Sequence, residues 1–464
     1  MPSHACPDFH STAMSRRLAL KVGGAGLLGL NFSDMLRAAE TQPRKIKARA
    51  KSVIFLFQWG GPSQLDMFDM KPDAPEGIRS PHKTVASKAD GITISEKLPK
   101  CGAIMDKVTL VRSVYHTMKN HNSAGYYALT GHAPPSDDQR LRDSLELFPG
   151  YASVVDRFAP ARGEMPTAVS YPYVISDGSV TPGQHASFLG KANDPMLVLQ
   201  DPNSPAFALP ELSLPKDIPF ERMQARRELM KLVDAQTKLM EQNATVRGFD
   251  RYYDKALAML QSPKLRDAFN LAAEPDKVRD AYGRTTYGQS CLLARRLVES
   301  GTKFVTAYFS DSIGGRRTDG GGWDTHGFDN TRMYPIIEQY HLPMTEQTLP
   351  TLLTDLEERG LLDTTLVVWM GEFGRTPNIN KNASRDHWPQ CYTVLLAGGG
   401  VKRGFVHGAS DKTASYPAEN PVRPDDIAAT IFHALGIDPH REMRTVTNRP
   451  VFASEGNVIS EVFA

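Results

Sequence analysis

Asp324 and His326 stand two residues apart in a Gly-rich stretch, a spacing that lets both side chains point at one metal ion. His387 supplies another imidazole later in the chain. Mixed nitrogen and oxygen ligands suit zinc or a similar divalent ion, with calcium, magnesium or manganese as alternatives. We therefore predict a metal centre held by Asp324, His326 and His387. Carboxylates that could complete this site or a second one are Glu372, Asp66 and Asp386.

A second group of polar side chains lies around the predicted start of a helix that contains several small residues. Exposed backbone N–H groups at a helix start favour an anion and would stabilise charge that develops on a nucleophile. Ser123 is therefore a candidate nucleophile, and His121 or His116 a candidate acid or base. Arg375 could clamp an anionic group. Structural explanations stay open as well, with Ser123 as a helix cap and the histidines as hydrogen-bonding partners.

Short apolar runs bounded by Gly or Pro predict the strands that position these groups. The runs occupy residues 52–57, 108–114, 167–175, 303–309, 366–370 and 392–397. Continuous apolar runs of this length are typical of buried strands in a parallel sheet. Segments with helical periodicity lie between these runs or after the last of them, at residues 287–300, 343–359 and 424–436. We predict an α/β fold with a doubly wound, mostly parallel sheet and helices on both faces, with the polar groups at the carboxyl edge of the sheet.

The chain is expected to form one large domain behind an export signal. Residues 1–40 carry paired arginines ahead of a short apolar Gly-rich segment, a pattern similar to a bacterial twin-arginine signal. Residues 41–50 are polar and basic, as in a linker. Residues 51–464 form the domain, including a mainly helical insertion around 216–300. We therefore expect export to the periplasm or the cell exterior, without a stable membrane span. An N-terminal amphipathic helix of a cytoplasmic protein is the alternative.

The bulk composition excludes several classes of function. The net charge of +2 gives no basic field for nucleic acid. Four widely spaced cysteines form no Cys-x-x-Cys pair, so neither a disulfide framework nor a zinc knuckle is predicted.

Five motifs together resemble the family catalogued as domain of unknown function 1501, within the alkaline-phosphatase-like superfamily of sulfatases and phosphatases. The motifs occupy residues 60–63, 66–72, 323–326, 371–377 and 386–389, and the resemblance covers nearly everything after residue 50. It implies an alkaline-phosphatase-like fold and a metal-dependent hydrolase of sulfate or phosphate esters. The substrate would be a small molecule or a glycan that carries such an ester.

Several departures from the superfamily pattern bear on this chemistry. Counting back from the end of the predicted helix puts the nucleophile position at His121, so the nucleophile could be Ser123, His121 or a water molecule. Phe373 replaces a metal-binding histidine. Neither Cys101 nor Cys291 stands in the Cys-x-Pro-x-Arg motif, which argues against a formylglycine sulfatase. A catalytically silent protein that binds an anionic glycan or a protein partner is the alternative, and an isomerase or mutase rests on fold analogy alone.

Overall fold

An eight-stranded sheet forms the centre of the unit Ile46–Ala464 in the computed structural model, which describes residues 46–161, 163–207, 262–314, 321–327 and 332–464. Its strands in chain order are β1 Ser52–Phe57, β2 Val108–Val114, β3 Ala168–Tyr171, β4 Met196–Leu197, β5 Phe304–Tyr308, β6 Thr365–Met370, β7 Tyr392–Ala397 and β8 Phe405–His407. Their spatial order is β8-β2-β7-β6-β1-β5-β3-β4. The strands β1, β3, β4, β5 and β6 run parallel to one another. The mostly parallel α/β fold predicted from the sequence is confirmed.

Helices cover both faces of the sheet. The longer ones are α1 His121–Thr130, α2 Tyr151–Phe158, α3 Thr286–Glu299, α4 Leu342–Glu358 and α5 Pro424–Ala434. Shorter helices occupy Pro99–Ala103, Pro263–Phe269, Asp276–Tyr282 and Met333–Ile336, with a π-helical turn at Ile337–His341. Alternate residues of β1 belong to two separate apolar clusters, because successive side chains of a strand point to opposite faces. The cluster on one face includes side chains of α3 and α4, and the other includes α2 and α5.

The direction of β7 corrects the sequence analysis, which took the apolar run at 392–397 as another parallel strand. β7 pairs antiparallel with both β6 and β2. A parallel pairing requires a long crossover, usually through a helix, and the segment between β6 and β7 contains none. Because β7 is reversed, its first residue lies at the same edge as the carboxyl ends of β1, β5 and β6. The residues just before β7 therefore lie at the predicted edge, because they precede a reversed strand rather than follow a parallel one.

The strand predicted at residues 167–175 is shorter in the structure and ends at Tyr171. Pro172 follows, and proline has no N–H to donate to a neighbouring strand. The bounds of β1 and β2 are those predicted from the sequence.

Parts of the predicted domain division lie outside the described residues. These parts are the export signal at 1–40, the first half of the linker, and the insertion from 216 to 261. At the end of the linker, the backbone N–H groups of Arg49 and Ala50 both lie 2.8 Å from the Ala434 carbonyl oxygen. No helix in the described ranges is long and apolar enough to cross a membrane.

Candidate metal centre

Three side chains at the carboxyl edge of the sheet lie close enough together to hold one metal ion. They are His121, Asp324 and His387, and one ligand atom from each lies within 4.8 Å of the other two. His121 begins α1, Asp324 ends the short strand Gly321–Asp324, and His387 begins the short strand His387–Trp388 that precedes β7. The fold thus brings together three groups that are far apart along the chain. Among the residues that the structure describes, this is the group of three with such spacing.

Asp324 lies at the centre of this group. Its Oδ1 is 2.9 Å from His387 Nε2 and 3.0 Å from Arg375 Nη2. Its Oδ2 is 2.9 Å from His326 Nε2 and 3.4 Å from His121 Nε2. Burial opposes the charge on Asp324, but His121 and Arg375 outweigh it and hold the pKa of the carboxyl well below its usual range. A carboxylate that is charged near pH 7 therefore faces three histidine rings.

The hydrogen bonds of His387 favour a cation between its Nε2 and Asp324. Nδ1 lies 2.9 Å from the Lys119 carbonyl oxygen, which can only accept, so Nδ1 carries the proton. Burial lowers the pKa of His387 to about 4, although Asp324 raises it, so the ring is neutral near pH 7. The lone pair of Nε2 then points at Asp324 Oδ1, and two acceptors 2.9 Å apart repel unless a positive ion lies between them. The carbonyl that fixes the tautomer is typical of metal-binding histidines.

His121 is held from behind by Glu372. His121 Nδ1 donates to Glu372 Oε1 at 2.8 Å, and the backbone N–H of Gly60 donates to the same oxygen at 2.9 Å. Burial lowers the pKa of His121, but Asp324 and Glu372 outweigh it and raise that pKa to about 9. The buried Nε2 of His121 has no hydrogen-bond partner within the described chain. This nitrogen lies 3.4 Å from Asp324 Oδ2, which is within ion-pair distance but is not aligned for a hydrogen bond. Near pH 7 this raised pKa keeps a proton on Nε2 in the metal-free site, so a metal ion that binds Nε2 must displace that proton, while the carboxylate behind the ring holds the other proton on Nδ1.

Arg375 and two glycines set the position of Asp324. The fully buried guanidinium of Arg375 donates to the carbonyls of Gly60, Gly61 and Trp323, the last two at 2.8 Å. Gly60 has a φ of +105°, and a Cβ there would lie 2.3 Å from the Asp324 nitrogen. The loop after β1 therefore packs directly against the backbone of the metal centre. Arg375, predicted to clamp a substrate anion, directs its hydrogen bonds to these carbonyls and to Asp324 instead.

The structure does not bring Ser123 and His116 into the metal group. The buried hydroxyl of Ser123 donates to the Asp138 carbonyl at 2.9 Å and accepts from the Asp138 N–H at 2.7 Å. His116 Nε2 donates to the Glu372 carbonyl at 2.7 Å, and its Nδ1 accepts from the Met118 N–H at 3.1 Å. Burial lowers the pKa of His116 to about 4. Both side chains hold backbone segments in place, and neither has a free atom directed at Asp324.

Asp66 and Asp386, predicted as further ligands, also lie apart from the group. Asp66 is fully buried and accepts from Arg385 Nε at 2.8 Å and from the hydroxyls of Ser63 and Ser80 at 2.5 and 2.6 Å. Asp386 is exposed and accepts a hydrogen bond from a neighbouring asparagine. Burial raises the pKa of Asp66, but Arg385 outweighs it and the pKa is lowered. Asp66 is thus the anion of a buried ion pair.

Of the predicted ligands, the structure places Asp324 and His387 in the group. His326 lies beside the group, within 2.9 Å of Asp324, and Glu372 contacts it only through the hydrogen bond from His121. His121, which the sequence predicted as an acid or base or as the nucleophile, also lies in this group, in a position to bind the ion. Its place at the nucleophile position of the superfamily helix was the signal that it faces the site. Phe373 lies against the two ligand rings, with ring centroids 4.9 Å from His121 and 4.5 Å from His387. An apolar ring there excludes water from one side of the centre.

The fold and this centre define an α/β protein with a candidate metal site at the carboxyl edge of its sheet. Residues 50–463 match the family model described as protein of unknown function (DUF1501). The chain belongs to this family. A search of curated proteins gives no match.

Solved structures similar to this chain include a sulfatase, a protein in the alkaline phosphatase superfamily and a lipoteichoic acid synthase. The sulfatase PsFucS1 from Pseudoalteromonas sp. is 14% identical, with a TM-score of 0.37 over 97% of this chain and 80% of that one. An alkaline phosphatase superfamily protein from Vibrio parahaemolyticus is 10% identical, with a TM-score of 0.40 over 85% and 69%. The lipoteichoic acid synthase LtaP from Listeria monocytogenes is 10% identical, with a TM-score of 0.35 over 84% and 73%.

Proposed function

We propose that this protein is a metal-dependent hydrolase of sulfate or phosphate esters whose divalent ion is held by His121, Asp324 and His387. The observation that carries the proposal is the pair of acceptors, His387 Nε2 and Asp324 Oδ1, that face each other at 2.9 Å. Two imidazole nitrogens and one carboxylate oxygen form a three-ligand set that leaves a coordination position open, as in catalytic zinc sites. The reaction class rests on the resemblance of the sequence motifs to the alkaline-phosphatase-like superfamily.

A divalent ion in this site would polarise the ester oxygen and lower the pKa of a water molecule. Glu372 keeps the proton of His121 on Nδ1 and so leaves Nε2 directed at the site. Arg375 holds Asp324 in its charged form. His326 lies at the rim, where its ring is partly exposed and can move a proton to or from the leaving group. Because the hydroxyl of Ser123 is engaged by Asp138, water is the nucleophile that we favour.

We also propose that the chain is exported by the twin-arginine-type signal in residues 1–40 and acts in the periplasm or outside the cell. The support is the sequence pattern. Twin-arginine export carries folded proteins, which suits a protein whose metal is bound before export.

The second candidate is a catalytically silent protein that binds an anionic glycan or a protein partner. The observation that favours it is Phe373, which occupies a position where the superfamily has a metal-binding histidine and packs on both ligand rings. A site with one ion and no side-chain nucleophile could bind an ester without cleaving it.

The test is metal content by mass spectrometry, on wild type and His387→Ala purified without chelators. His440→Ala removes an exposed histidine and is the matched control. We expect bound metal in the wild type and the control and its loss in His387→Ala. Turnover of 4-nitrophenyl sulfate or phosphate by the loaded protein would then support the hydrolase. Metal without turnover of any ester would favour the binding protein, and a folded wild type without metal would overturn the proposal.

A further inference from the structure

One peptide group connects His387 of the metal centre to an acidic side chain outside it. This peptide group joins Lys119 to Asn120. Its carbonyl oxygen, on Lys119, accepts the hydrogen bond from His387 Nδ1 at 2.9 Å. Its N–H, on Asn120, donates to Asp137 Oδ1 at 3.0 Å. A carboxylate, a peptide group and an imidazole thus form one chain of hydrogen bonds that ends at the ligand atom Nε2.

Both carboxylate oxygens of Asp137 take part in this arrangement. While Oδ1 accepts from Asn120, Oδ2 accepts from the N–H of Lys119 at 3.0 Å, so one carboxylate binds two successive backbone N–H groups. Residues 117–120 lie between β2 and α1, outside regular secondary structure. The hydrogen bonds to Asp137 therefore help to set the direction of the Lys119 carbonyl, and that carbonyl orients the ring of His387.

The first turn of α1 holds the segment that carries Asp137. Ser123 is fully buried, and its hydroxyl bonds both the carbonyl and the N–H of Asp138, at 2.9 and 2.7 Å. Asn122 is also fully buried, and its side-chain amide donates to the Gln139 carbonyl. These two side chains fix the backbone just after Asp137 and so keep its carboxylate beside the Lys119–Asn120 peptide group. The hydroxyl at a predicted nucleophile position thus has a structural task next to the metal centre.

We infer that Asp137 is a positioning residue of the metal centre, which acts on His387 through the Lys119–Asn120 peptide group. Metal-binding histidines commonly donate their second ring N–H to a carboxylate or a backbone carbonyl, which fixes the ring and raises the basicity of the ligand nitrogen. In this protein a carbonyl and a carboxylate act in series. A negative charge at the N–H end of a peptide group polarises it, so its carbonyl oxygen accepts a stronger hydrogen bond. The effect on metal affinity rests on the proposed metal centre, whereas the chain of hydrogen bonds does not.

The first test is zinc affinity, measured by competition against a chelator of known affinity on Asp137→Ala, Asp137→Asn and Asp137→Glu. Asp143→Ala removes the same charge from an exposed position of the same loop and is the control. We expect Asp137→Ala and Asp137→Asn to bind zinc about tenfold more weakly, at the lower end of the range for partners of metal ligands, because the carboxylate is exposed and one peptide group away from His387. Asp137→Glu keeps the charge and should restore most of the affinity, and the control should match the wild type.

Unchanged affinity in Asp137→Ala, or an equal loss in Asp143→Ala, would overturn the inference. Equal affinities of Asp137→Asn and Asp137→Glu would also overturn it, because the proposed role depends on the charge. This last comparison keeps a side chain of similar size at position 137, so it remains decisive if the alanine variant fails to fold.

The second test uses metal-free protein with isotope-labelled histidine. The Nδ1–H proton of His387 gives a nuclear magnetic resonance signal that is assigned by its absence from His387→Ala. We expect this signal to move upfield in Asp137→Asn, because a weaker acceptor deshields the proton less, and to keep its position in Asp143→Ala. An unmoved signal in Asp137→Asn would overturn the inference. A moved signal in a protein that binds no zinc would support the chain of hydrogen bonds although the proposed function fails, so the two failures can be told apart.

Discussion

The Glu372→Gln substitution tests whether the carboxylate behind His121 supports a metal ligand. Glu372 is fully buried, and its Oε1 accepts from both His121 Nδ1 and the Gly60 N–H. Glutamine has the same shape and keeps an oxygen that can accept both hydrogen bonds, but it lacks the negative charge. The substitution therefore removes the charge that raises the basicity of His121 and leaves the packing in place.

The expected effect follows from the role of such carboxylates. Mutation of a group that hydrogen-bonds a metal ligand typically weakens metal affinity about 10- to 100-fold, or about 1.4 to 2.7 kcal/mol. At a free metal concentration about 100 times the wild-type Kd, binding stabilises the wild type by about 2.7 kcal/mol. A variant with about 100-fold weaker affinity gains only about 0.4 kcal/mol under the same conditions.

The assay is urea unfolding with and without metal, together with competition against a chelator of known affinity. The difference between loaded and metal-free protein is the measured quantity, because any effect of the substitution on the fold cancels in it. Glu419→Gln changes an exposed glutamate and is the control. If Glu372→Gln gains as much stability from metal as the wild type does, the charge of Glu372 does not support a metal ligand.

Two further substitutions probe the loop after β1 and a buried histidine. Gly60→Ala places a Cβ 2.3 Å from the Asp324 nitrogen at a φ of +105°, so we expect about 2–6 kcal/mol lower unfolding free energy in urea. Gly91→Ala has a φ of +75° but no atom within 4 Å, and an equal loss there would contradict the steric argument. Burial lowers the pKa of His132 from 6.5 in the unfolded chain to about 4 in the folded one. As the pH drops from 6.5 to 4, the unfolded chain therefore gains a proton on this histidine that the folded chain does not, and the free energy of unfolding falls. His132→Gln should reduce the fall in melting temperature between pH 6.5 and 4, and a fall as large as in the wild type would refute this.

The strands of the sheet were predictable because buried strands leave a strong local signal. Both β1 and β2 are continuous apolar runs with clear ends, and their bounds match the prediction. The direction of β7 was not predictable from the run itself, because an apolar strand has the same composition in either direction. The signal lay in the connection, which lacks a helix between β6 and β7. Reversal of β7 places its start, rather than its end, at the site, and this is why the position of His387 was still anticipated.

The roles of charged residues near the site were harder to predict, because the sequence shows which groups are polar but not which partner satisfies them. Asp66 stands where a ligand was expected, yet it is paired with Arg385 and two hydroxyls. Arg375 stands in the motif of the site, yet its donors go to the backbone carbonyls of Gly61, in the loop after β1, and of Trp323, in the short strand Gly321–Asp324. The buried guanidinium thereby fixes the loop and the strand that ends in Asp324. A charged residue in such a motif can therefore be required for the geometry of a centre without touching its substrate, and only the three-dimensional arrangement separates the two roles.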